Sequence, residues 1–126
     1  MTVKAFLAVA AGLYAAFGLA FLIAPGTLMD MHGATLNPGG IVLGRVLGAS
    51  LVAMALVFWG AQDLGHDAQA AALYGGIVYN AVGIVAAYNA IATGVINTMG
   101  WGLVAYHVVM LAGFAYFAYA GRRQAA

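Results

Sequence analysis

Four stretches of this chain, residues 5–24, 40–59, 70–92 and 99–120, contain no acidic residue and, apart from Arg45 in the second, no Lys or Arg. Each reaches the roughly 20 helical residues needed to cross the hydrocarbon core of a bilayer. In lipid every backbone polar group must find a partner within the protein, so only helices and closed barrels can span. Barrel strands would show about ten-residue segments of alternating polarity, whereas these runs are continuous and rich in Ala, Leu, Val and Gly. The expected fold is therefore all-α: an integral membrane four-helix antiparallel bundle, with residues 1–126 forming one domain. Composition agrees, since 66% of residues are apolar and 6% charged, against about a quarter charged in an average soluble domain.

Charge placement sets an expected orientation. Lys4 lies near the amino end, Arg122 and Arg123 near the carboxyl end, and no connecting loop holds a Lys or Arg. By the positive-inside rule both termini are expected in the cytoplasm. The first run follows Lys4 as a secretory signal would, but its apolar stretch exceeds the usual 7 to 15 residues, so it is expected to be a span. The longest loop, "APGTLMDMHGATLNPGG", then faces outward, with "GTLMDMH" forming one interfacial turn. Without cysteine the chain has no thiolate metal site and no disulfide. No basic cluster exists beyond Arg122 and Arg123, so nucleic acid is not an expected partner.

Lipid offers helices no hydrophobic reason to associate, and close approach through small residues supplies the attraction instead. Ala8, Gly12, Ala16 and Ala20 recur at four-residue spacing in the first run, Gly40, Gly44 and Gly48 in the second, and Ala72 and Gly76, followed by Asn80, in the third. Such glycine-zipper faces serve either packing within the bundle or association into a homo-oligomer or larger membrane complex. An internal echo, "LYAAFG" at 13–18 and "VYNAVG" at 78–83, pairs Tyr14 with Tyr79 and Gly18 with Gly83. A repeat of that kind would be parallel, about an axis along the membrane normal.

Charged or readily charged groups inside spans are costly and raise a functional hypothesis. Here they are Arg45 and His107, about 7 Å along the second span from Gly40 and about 9 Å along the fourth from Trp101. Both are expected in the outer half, at similar depth. With Asn80 and Tyr14, and with Tyr106 adding a hydroxyl, they would make a polar pocket open to the outer face. No acidic residue lies within a span, so an inward Arg45 would need its counter-charge from a ligand, a lipid phosphate or another subunit. The structural alternatives are that Arg45 snorkels to headgroups, that His107 is a hydrogen-bonded packing residue, and that Asn80 makes an interhelical bond. Met29, Met31 and His32 are soft ligands suited to Cu(I), although the same residues suit a loop dipping into lipid. No cofactor and no catalytic residue is expected: the three histidines occupy three different levels, and the spans hold no carboxylate pair.

The segments "FLIAPGTLMDMHG", "LGRVLGASLVAMAL" and "VINTMGWGLVAYHVVMLAGFAYF" resemble the small bacterial four-span proteins of the DoxX-like and domain-of-unknown-function type. That resemblance implies a four-helix fold in the bacterial inner membrane and an accessory role beside membrane or quinone-linked oxidoreductases. It brings no catalytic residue. The expected function is a non-enzymatic membrane protein, an accessory subunit or a binder of a small amphipathic ligand such as a lipid or quinone headgroup, through Arg45, His107, Asn80 and Tyr14. The alternative is a homo-oligomeric channel or transporter for a small solute.

Overall fold

The computed structural model describes the backbone of residues 1–125 and side chains as far as Gly121. The described chain is all-helical: α1 (Val3–Ile23), α2 (Pro25–Met31), α3 (Pro38–Ala61), α4 (His66–Ala92) and α5 (Gly100–Ala125). Four of these, α1, α3, α4 and α5, are long and apolar enough to cross a membrane. The fifth, α2, corrects the single interfacial turn expected of the first loop. The side chains of Arg122 and Arg123 lie outside the described residues.

Local chemistry sets the helix ends. Thr2 Oγ1 accepts from the Ala5 amide at 3.2 Å to start α1, and Asn37 Oδ1 accepts from Gly40 at 2.8 Å to start α3, with Pro38 in the first turn. At α2 and α4 the sequence reading missed a shared stop signal. Gly33 and Gly94 take positive φ of 78° and 73°, which glycine adopts without steric cost. After α2, Gly33 N donates to Asp30 O and Ala34 N to Met29 O; after α4, Gly94 N donates to Ile91 O and Val95 N to Ala90 O. Both are Schellman closures. Asn97 then ties the two turns together, its amide donating to His32 O at 2.7 Å and its side chain to Met31 O at 3.1 Å.

The helices form two antiparallel hairpins, α1 with α3 and α4 with α5. In the first, backbone meets backbone: a Cβ on Gly48 would stand 2.7 Å from Gly18 O and from Leu22 N. The inward face of α1 differs from the small-residue face read from the sequence. Gly12 and Ala16 are exposed, Ala8 and Ala20 only partly buried, and Phe6, Leu7, Ala10, Ala11, Tyr14 and Gly18 point inward. The large side chains decide this, because an aromatic facing a neighbouring helix gains more contact than an alanine does. Gly44 and Gly48 on α3 and Ala72, Gly76 and Asn80 on α4 are buried. At the end carrying the amino terminus, Lys4 pairs with Asp63, and aromatic rings fill the space between the hairpins. Phe6 meets Phe114 edge-on at 4.9 Å and stacks on Phe117 at 4.7 Å, and Phe58 lies 5.2 Å from Phe114.

Gly48→Ala forces a methyl into the α1 backbone and is expected to cost about 1–3 kcal/mol. Gly12→Ala, with nothing within 4 Å of the new Cβ, is expected to change stability by less than about 0.5 kcal/mol. Unfolding of the two variants in mixed detergent micelles checks the contrast.

Candidate functional site

Halfway along α4, at the meeting of the hairpins, sits Asn80, fully buried. Its Nδ2 donates to Gly76 O at 2.7 Å and to the Tyr14 hydroxyl at 2.7 Å. Its Oδ1 lies 2.9 Å from His107 Nδ1. A carbonyl such as Gly76 O only accepts, so the amide nitrogen must face it, and the amide oxygen therefore faces the imidazole. His107 Nδ1 must then carry a proton, which leaves Nε2 as the free nitrogen of the neutral ring. Room for the ring comes from Gly83, where a Cβ would stand 2.7 Å from both imidazole nitrogens.

Three of the residues read from the sequence, Tyr14, Asn80 and His107, thus come together. Arg45 does not join them. It is exposed on α3, lines no part of the recess described below, and makes no hydrogen bond or ion pair among the described residues. The helical geometry explains this: Gly44 turns to Pro25 of α2 and Gly48 to α1, while Leu47 and Leu51 face the recess shared with α4 and α5. That leaves Arg45, one position after Gly44, on the outer surface.

His107 opens onto a recess between the hairpins. A cavity of about 140 Å³ is lined by Phe17, Phe21, Leu47, Leu51, Tyr79, Leu103, Tyr106 and His107. Through Phe21, Leu47, Tyr79, Leu103 and His107 it continues into an open groove of about 560 Å³ that runs to α2. Tyr79 and Tyr106 flank the imidazole, with ring centroids 5.9 and 5.3 Å away. Neither hydroxyl has a hydrogen-bond partner among the described residues. The recess is thus apolar and aromatic, with one imidazole nitrogen and two phenols as its polar groups near the base. Tyr79 had been singled out in the sequence only for the internal echo; its position one residue before Asn80 and one helical turn before Gly83 was the available signal.

At the groove mouth stand Met29 and His32, on the inward side of α2. His32 Nδ1 donates to Leu28 O at 2.8 Å. Met31, the third soft ligand read from the sequence, is exposed and lies outside the groove lining. No cluster of three or more His, Cys, Asp or Glu with metal-binding spacing occurs among the described residues.

Comparison of the chain with protein-family models, with curated proteins and with solved structures finds no match. What the site can do therefore rests on its geometry. It can hold an amphipathic molecule by apolar contact and fix one end of it by hydrogen bonds.

Asn80→Leu removes three hydrogen bonds and leaves the Gly76 carbonyl and Tyr14 hydroxyl with one partner fewer. The expected loss of stability is about 1–3 kcal/mol. In the wild type, ¹⁵N NMR of His107 is expected to show the Nδ1–H tautomer. The variant is expected to lose that preference while remaining folded.

Proposed function

We propose that this chain is a non-enzymatic, multi-pass protein of the bacterial inner membrane that binds a small amphipathic ligand in the groove between its hairpins. The ligand class is a lipid or quinone headgroup with its apolar tail along the groove. The observation that carries the reading is His107, held by Asn80 so that one ring nitrogen is left for another molecule, beside two unpartnered phenols in an otherwise apolar recess. Ligand sites combine an apolar lining with a few convergent polar groups in this manner. An accessory role beside a larger membrane complex fits a binder with no catalytic carboxylates. The resemblance to DoxX-like proteins points the same way.

Orientation follows from Lys4, Arg122 and Arg123, which favour cytoplasmic termini. The groove mouth, at the opposite end of the hairpins from Lys4 and Asp63, then opens toward the outer leaflet. In that orientation Arg45 lies in the outer half of α3, where its stem carries the guanidinium toward lipid phosphates. The channel reading draws no support from the interior of one protomer. Below Tyr14 the space between hairpins is filled by Phe6, Phe58, Phe114 and Phe117, so any solute path would have to run between copies.

Native mass spectrometry of protein extracted in mild detergent tests the proposal. A defined non-covalent mass is expected on the wild type, lost in His107→Leu and in the groove-filling Leu103→Trp, and retained in Arg45→Ala. Equal retention in all three variants would sink the site assignment.

A further inference from the structure

The groove has a second histidine, and the protein holds it as it holds the first. His32 stands at the mouth, where α2 meets the Asn97 turn. His107 stands at the base, seven residues into α5 and so about 10 Å along that helix from Gly100. In each ring Nδ1 is committed to a carbonyl oxygen of the protein, Leu28 O at 2.8 Å for His32 and Asn80 Oδ1 at 2.9 Å for His107. A carbonyl oxygen accepts only, so both Nδ1 atoms carry protons, and in the neutral form of each ring Nε2 is the unprotonated acceptor. The tautomers are fixed by partners within the protein, not by the ligand.

We infer that the occupant of the groove carries hydrogen-bond donors at two separated ends. It is a hydroxyl-bearing amphiphile, with one hydroxyl donating to His107 at the base and another to His32 at the mouth. This rests on the ligand-binding reading above and narrows it: a hydroxyl-bearing lipid headgroup or a hydroquinone fits, whereas an oxidised quinone, whose carbonyls only accept, does not. A molecule offering only acceptors, such as an ether or a diester, meets two imidazole acceptors and leaves both without a bond. In an apolar groove an acceptor left unmatched on binding loses its solvation without recompense. Tyr79 and Tyr106 do not reverse this, because a phenol both donates and accepts and so satisfies either kind of group.

A matched pair of probes isolates the donors from shape: a short-tailed hydroquinone and its dimethyl ether, titrated calorimetrically into the purified protein in micelles. The hydroquinone is expected to bind roughly twentyfold more tightly, and His32→Leu and His107→Leu are each expected to shrink that ratio about fivefold. His32 lies outside the packed interior, so its variant keeps the test independent of bundle stability. Equal affinity for the two probes, or a ratio unchanged in His32→Leu, overturns the inference. If both probes bind equally and Leu103→Trp abolishes both, the groove remains a ligand site and only its polarity is wrong. Binding of neither probe overturns the inference, and the mass measured on the extracted protein then judges the ligand-binding reading separately.

Discussion

The contact between Gly18 and Gly48 is where the architecture begins. Lipid rewards neither helix for leaving it, so two spans stay together only if their surfaces touch more closely than acyl chains can touch either one. Glycine against glycine lets the α1 and α3 backbones meet directly, and a Cβ at either position would stand less than 3 Å from the opposing backbone. The register so fixed has consequences along both helices. It sets Pro25 against Gly44, brings the ends of α1 and α3 together where Lys4 pairs with Asp63, and directs Tyr14 and Phe58 toward the second hairpin.

Between the hairpins the chain uses bulk and polarity instead of small residues. Toward the amino-terminal end, rings fill the gap. At mid-height Asn80 reaches Tyr14 across it, the one side-chain hydrogen bond that joins α1 to α4 among the described residues. Further along, the gap is left open, and this opening is the groove. The position of the cavity thus follows from where the packed cluster of Phe6, Phe58, Phe114 and Phe117 stops.

How much of this the sequence disclosed depends on the kind of signal. Span number is written in the absence of charge, which needs no knowledge of neighbours. Asn80 and His107 were legible because a polar group in an apolar run has few inexpensive fates, and Tyr14 because it adds a hydroxyl to such a run. Arg45 drew attention for the same reason as His107, yet its direction depended on which face of α3 met α1. That was decided by Gly48 acting with Gly18 and Leu22 of α1, and by Gly44 acting with Pro25 of α2, all distant in sequence. The helix α2 was read as a single turn because its stop signal, Gly33 with positive φ, is indistinguishable by composition from any loop glycine. The four-residue stripe on α1 lies off the bundle's inward face because alanine spacing says only where close approach is possible. Phe6, Leu7 and Tyr14 determine where it happens.

The internal echo is better placed by burial than by letters. The buried set Phe6, Leu7, Ala10 and Tyr14 on α1 runs in step with Ala72, Leu73, Gly76 and Asn80 on α4, so Tyr14 corresponds to Asn80, one residue beyond the Tyr79 that the lettering suggests. On this register the Tyr14–Asn80 hydrogen bond joins equivalent positions of the two hairpins, as expected of residues near an axis between them. The hairpins then diverge in how they use a glycine on the helix that enters each. Gly18 gives its space to a backbone and closes α1 on α3; Gly83 gives its space to the imidazole of His107. On this register Gly18 matches Ile84, not Gly83, so the two glycines are separate solutions to one requirement, a helix surface low enough to admit a backbone in the first hairpin and an imidazole ring in the second.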